Sequence, residues 1–121
     1  MKYQVKITAL GSDALAFLGD ETNFIIIFNE DAPPELAEIS VLHTKSVLNG
    51  EIQTGDTLKI GAKEFRITKV GEEAAYTLRN LGHCTLDFSG EEAAFRPGCI
   101  MLEKGKITSE DLQVGTTIEI F

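Results

Sequence analysis

Two histidines, His43 and His83, are the side chains of this 121-residue chain that ordinarily change charge near neutral pH. His43 closes an apolar, β-branched run, Ile39-Ser40-Val41-Leu42, and precedes the polar segment Thr44-Lys45-Ser46. His83 opens a second such run, Cys84-Thr85-Leu86-Asp87-Phe88, just after Gly82. A neutral imidazole is a nucleophile and a proton carrier, so either residue can do chemistry at neutral pH. A histidine at a strand end is also a common hydrogen-bonded structural residue, and both readings stand at this point. The two cysteines, Cys84 and Cys99, lack the C-x-x-C spacing of a metal or redox site. Each lies in an apolar context, which points to buried free thiols and a reducing compartment. No metal constellation, P-loop or dinucleotide fingerprint is present, so no cofactor is expected. A hydrolase would need a nucleophile and an orienting acid around the imidazole, and no Ser-His-Asp or Cys-His spacing stands out.

The elements that must position these residues are mostly strands. Lys2 to Leu10 alternates, with Tyr3, Val5, Ile7 and Ala9 on one face. Ser12 and Asp13 are placed to cap a helical turn over 14–18, and Asn23 to Phe28 reads as a strand buried on both faces. Pro33-Pro34 suits the start of a short helix with Glu35 in its first turn. Thr57 to Ile60 and Glu64 to Val70 form a hairpin across Gly61-Ala62. Glu72 to Leu81 has helical spacing, Arg79 in its last turn and Gly82 as its stop. Cys99 to Glu103 and Thr116 to Phe121 supply the last strands, with a further helical turn over 109–112. Arg66 and Arg79 read as surface partners for nearby acids.

Laid on itself with a shift of sixty residues, the sequence matches without a gap. Lys6-Ile7-Thr8 meets Arg66-Ile67-Thr68, Gly11 meets Gly71, Leu18 meets Leu78, and Ile52-Gln53-Thr54-Gly55 meets Leu112-Gln113-Val114-Gly115. In this register His43 faces Glu103 and His83 faces Asn23, so the scaffold requires histidine at neither place. Two halves, 1–60 and 61–121, each of short strands with little helix, predict a mainly antiparallel all-β barrel with pseudo-twofold symmetry, folded as a single domain.

The segments quoted above resemble one family. The run Val41-Leu42-His43, Gly50 and Gly55 before the strand at Thr57, the segment Asn80 to Phe88, and the cluster Phe95-Arg96-Pro97-Gly98 occur in the order and spacing of the glucitol/sorbitol-specific IIA components of the phosphoenolpyruvate-dependent phosphotransferase system. The resemblance covers essentially the whole chain. It implies a cytoplasmic phosphotransferase component whose histidine takes a phosphoryl group from HPr. The group then passes to the glucitol/sorbitol-specific IIB component, working with the membrane component IIC. By position the acceptor is His43. His83 either supports it, by orienting its ring or donating to the phosphoryl oxygens, or is a hydrogen-bonded capping histidine after Gly82. Some members carry a second histidine two residues further on; Lys45 stands there in this chain.

Phosphoryl transfer needs in-line positioning and donors around the equatorial oxygens more than covalent work by the protein. Thr44, Lys45 and Ser46 are the candidates for phosphoryl binding. The position of His43 before a polar segment predicts a ring that faces solvent, ringed by Leu42, Val47 and Leu48. The formal charge of −8 argues against nucleic acid and anionic membrane surfaces, and no apolar run approaches the length of a membrane span. The competing reading is a non-catalytic β-barrel that binds a small molecule or a protein partner.

Overall fold

The computed structural model describes residues 1–91 and 96–121. The Phe95 of the sequence cluster lies outside them. Eight strands appear in chain order: β1 (Tyr3–Leu10), β2 (Phe24–Asn29), β3 (Val41–His43), β4 (Thr57–Ile60), β5 (Lys63–Val70), β6 (Cys84–Asp87), β7 (Cys99–Leu102) and β8 (Thr117–Ile120). Two short helices accompany them, α1 (Pro34–Ala37) and α2 (Ala74–Leu81). The strands close into a barrel in the order β1-β3-β2-β6-β7-β5-β4-β8, with β8 returning to β1.

Alternating side chains explain why the sheet closes. Tyr3, Val5 and Ile7 of β1 turn inward, as do Ile25 and Ile27 of β2 and Ile118 and Ile120 of β8, all essentially sequestered from water. An eight-stranded barrel is just wide enough for such side chains to fill. Gly61, at φ 58°, makes the tight β4–β5 turn that a residue with a Cβ adopts only under strain.

Exchange of β1–β4 with β5–β8 carries the strand order onto itself, so the barrel has a pseudo-twofold axis through the β2–β6 and β4–β8 pairs. Both pairs are self-symmetric in register: Ile27 pairs with Cys84 and Phe24 with Asp87, while Leu58 pairs with Ile120 and Ile60 with Ile118.

Three features sharpen or correct the sequence reading. The barrel is mainly antiparallel, as expected, but two of its pairs, β2–β3 and β6–β7, run parallel. The β2–β3 crossover contains α1, and a crossover returns the chain in the same direction. Residues 14–18 form no helix. Ala14, Ala16 and Leu18 donate to the carbonyls of Gly11, Asp13 and Leu15, a series of tight turns, while the Asp13 N–H is drawn off to Glu38 O. A segment this short cannot repay helix nucleation alone. Residues 109–112 are likewise a turn.

The third difference is a one-residue slip in the repeat. Ile7 pairs with His43, whereas Ile67 pairs with Leu102. The flanking bonds agree. Thr44 exchanges bonds with Lys6 through its N–H and Oγ1, and Glu103 does the same with Arg66 through its N–H and Oε1. The counterpart of His43 is therefore Leu102 and not Glu103, and that of Lys45 is Lys104. Both His43 and Leu102 are fully buried. The scaffold fills the His43 position with leucine in its other half.

Candidate functional site

His43 is the last residue of β3, held between Ile7 of β1 and Asn29 of β2. Its side chain shares the inward face with Val41 and is 0% exposed, which corrects the expectation of a solvent-facing ring. The reason is local: the polar segment that suggested exposure starts after the strand, and the β-alternation that buries Val41 also buries the residue two positions on. Of the predicted apolar rim, Leu48 is buried in the core, Leu42 is half-buried and Val47 is exposed.

The ring is fixed on both nitrogens. Nδ1 lies 2.7 Å from the carbonyl oxygen of Thr44, and Nε2 lies 2.8 Å from that of Gly82. Tyr3 stands edge-on to it, with ring centroids 6.2 Å apart. Burial lowers the His43 pKa, opposed by the two carbonyls and by the charge of Glu30. These effects conflict in an informative way. An imidazolium donates to both carbonyls, but a neutral imidazole has one N–H and one lone pair. With burial favouring the neutral form, one of the two contacts sets a lone pair against a carbonyl oxygen. Thr44 is the next residue in the chain, so its contact is set by the local backbone. Gly82 reaches in from another element, the end of the helix α2.

Gly82 ends α2. Its N–H donates to Leu78 O, and its φ of 62° is the left-handed conformation that glycine takes most readily. A Cβ on it would lie 2.8 Å from His43 Cε1 and 3.0 Å from Asn29 Cβ. The absence of a side chain lets the helix end rest against the imidazole.

On the outer side of this contact lies a cavity of about 170 Å³, lined by Tyr3, Asn29, Lys45, Ser46, Arg79, Asn80 and Gly82. Burial raises the Tyr3 pKa, so its hydroxyl stays protonated. Lys45 is exposed and paired with Asp31. Arg79 donates through Nη2 to Gly50 O at 3.0 Å. The wall thus offers two cations, amide side chains and hydroxyls, a set suited to an anion.

The predicted residues divide accordingly. Lys45 and Ser46 line the cavity; Thr44 does not, and its Oγ1 accepts the Lys6 N–H. His83 is half-buried, with its ring tilted on Phe28 at 4.6 Å between centroids and Nδ1 3.2 Å from Ile27 O. It touches His43 through the chain, as the residue after Gly82, and not through a ring contact. Sequence reasoning missed Tyr3, Asn29, Asn80 and above all Arg79, which donates to a carbonyl and not to an acid. The self-match held a signal for Arg79: it faces Gly19, so the two halves part there as they do at the histidines. Cys84 and Cys99 are buried free thiols, and burial raises both pKa values, so neither offers a thiolate. Among the described residues no group of side chains is placed to hold a metal ion, and no helix is long and apolar enough to cross a membrane.

A barrel packed to its axis, with an anion-suited cleft on its wall, has a relative among solved structures. The PTS system IIA component from Enterococcus faecalis V583 superimposes with a TM-score of 0.75 at 31% identity, covering 97% of this chain and 98% of that one. The fold and the relationship define a phosphotransferase-system IIA component, a phosphocarrier in sugar uptake. Residues 2–119 match the family described as the PTS system glucitol/sorbitol-specific IIA component. Proteins named PTS system glucitol/sorbitol-specific EIIA component from Escherichia coli K12 and Shigella flexneri are each 37% identical over 98 residues, spanning 81% of this chain and 78% of theirs. The chain belongs to the glucitol/sorbitol-specific IIA family, and its partners are other components of the phosphotransferase system.

Proposed function

We propose that His43 is the residue that carries the phosphoryl group, and that Nε2 is the acceptor atom. The observation behind this reading is the Nε2–Gly82 contact, the point where the buried ring meets the cation-lined cavity. Nδ1–H donates to Thr44 O and holds the neutral ring in one tautomer, which leaves the Nε2 lone pair for attack. The Gly82 carbonyl swings aside as a partner docks. Nε2 then forms a bond to phosphorus as the donor's N–P bond breaks, and the electron pair of that bond stays on the donor imidazole. The reverse exchange delivers the group to a nucleophile on the next component. Little covalent chemistry falls to the protein, and its contribution is alignment and charge.

In this reading the donor is phospho-HPr, the recipient is the IIB component, and the sugar taken up through IIC is glucitol, all in the cytoplasm. Lys45 and Ser46 meet the phosphoryl oxygens, Thr44 fixes the tautomer through its carbonyl, and His83 supports the site by holding the Gly82 segment against Ile27. The chain works as one IIA domain whose halves, 1–60 and 61–121, descend from a duplicated unit. Incubation with phosphoenolpyruvate, enzyme I and HPr, followed by intact-mass and phosphopeptide analysis, tests the assignment. One acid-labile phosphate on His43 is the expected result, and phosphate on His83 or none at all overturns it.

A further inference from the structure

We infer that Arg79 is a phosphoryl-binding residue, whose guanidinium takes the oxygens of the group on His43; the inference rests on the reading of His43 as carrier. Among the described residues Arg79 lacks an acid partner. The chain holds 19 Asp and Glu against 11 Lys and Arg. Lys2, Lys45, Lys63 and Arg96 are within ion-pair distance of Asp56, Asp31, Asp111 and Asp87. Arg79 is on the cavity wall, yet its bond is to the neutral carbonyl of Gly50, and no carboxylate stands within ion-pair distance of it among the described residues. One donor is engaged out of the five that guanidinium presents in a planar fork, the geometry that fits a tetrahedral oxyanion through two bonds at once.

The pseudo-twofold gives the other half its own cleft, lined in part by Gly19, Asp20, Asn23 and Lys104. In the slipped register Asn23 and Lys104 are the counterparts of Gly82 and Lys45, and Gly19 and Asp20 follow Leu18 as Arg79 and Asn80 follow its counterpart Leu78 on the wall of the histidine cleft. Lysine occurs in both clefts, so the scaffold alone accounts for Lys45. Arg79 lines the histidine cleft, whereas among the described residues no arginine lines the other; Arg96, in the pocket adjoining it, is within ion-pair distance of Asp87. Arg79 lies on α2 one turn before Gly82, so a cation that grips the phosphoryl group also holds the helix end that must clear Nε2.

The test uses the full chain with Arg79→Ala, Arg79→Gln and Arg79→Lys. Each is charged from phospho-HPr under single-turnover conditions, and the phosphorylated forms are examined by ³¹P NMR. Arg79→Ala and Arg79→Gln are expected to slow phosphorylation on the order of a hundredfold, the scale for loss of one charge-stabilising donor. They are also expected to move the phosphohistidine ³¹P resonance, which a merely structural helix residue would not do. Arg79→Lys keeps the charge without the fork and recovers part of the rate. If Arg79→Ala does not fold, Arg79→Gln, close to it in length, carries the measurement. Phosphopeptide mapping separates the two ways to fail. Phosphate on a residue other than His43 removes the carrier assignment and this inference with it. Phosphate on His43 at the wild-type rate, with an unmoved resonance in folded Arg79→Gln, overturns the role of Arg79 alone.

Discussion

The two clefts of the barrel are built on one plan and differ in what they hold. In the histidine cleft a buried imidazole meets a glycine at a helix end, and an arginine stands on the wall. In the other, Leu102 fills the core position, Asn23 replaces the glycine, and Gly19 and Asp20 follow Leu18 where Arg79 and Asn80 follow Leu78. Asn23 ties its amide to the carbonyls of Phe88 and Gly105, and Phe24 stands in the place of His83. The second cleft is the larger, about 510 Å³ against about 170 Å³, yet it lacks an imidazole. Room for a ligand is thus separable from chemistry: the scaffold supplies the cleft twice, and the side chains on its wall distinguish the two.

The largest effect expected from this comparison is at His43. His43→Ala should carry no phosphate after incubation with phospho-HPr, by intact mass, while Leu102→Val in the other half should be charged normally. Transfer that persists in His43→Ala would erase the distinction between the clefts. His83→Ala should remain phosphorylatable at a reduced rate, because its ring is turned to Phe28 and Ile27 and away from the cavity.

Next in size is the glycine. Gly82→Ala places a side chain at φ 62° and against His43 Cε1, whereas Gly19→Ala meets no atom closer than 3.9 Å. The first should lose about 1–2 kcal/mol of stability from the left-handed conformation alone, and charge poorly. Gly19→Ala should stay within about 0.5 kcal/mol of wild type, as surface substitutions do. Urea denaturation of both variants measures the difference, and equal losses would mean that the helix end is no more constrained than the open turn.

A smaller effect is a pH dependence confined to one half. In the unfolded chain His43 takes up a proton near its ordinary value of 6.5, while burial holds the native ring neutral to lower pH. The unfolded state therefore binds more protons below 6.5, and native stability falls as the pH drops from there toward the lowered native value. Above 6.5 the ring contributes no slope. The difference in denaturation midpoint between wild type and His43→Gln should change between about pH 7.5 and pH 5. A difference that stays constant would show the ring is not held neutral. The smallest effect is on the far side: Lys104→Ala with Lys106→Ala should leave the phosphorylation rate within about twofold, since surface charges act weakly at a distance in salt.

Strands and turns were readable because each carries its own signal. The alternation of Tyr3, Val5 and Ile7, the glycines at 61 and 82, and the helical spacing from Ala74 to Leu81 reflect local geometry that one stretch of chain determines. Partner choice is not local. Nothing in Phe24–Asn29 states that it runs parallel to Val41–His43, and the one-residue slip arises at irregularities in the β1–β3 and β5–β7 ladders. The same limit governed the site. His43 stands out in the sequence as a candidate through the family resemblance, but its burial depends on a strand face shared with Val41, and its second ring contact comes from Gly82, far along the chain. Arg79 looked like a surface cation because its lack of an acid appears only once the acids have been placed.

Closure of the barrel has one more consequence. Every strand, from β1 round to β8, has a neighbour on both sides, so the described residues present no open edge to which another protein could add a strand. Recognition by strand addition, with its ladder of main-chain bonds, is unavailable to this fold. Partners must read side chains on a curved wall instead. Contacts of that kind are set residue by residue, and they can be kept weak enough for successive proteins to take turns on one surface.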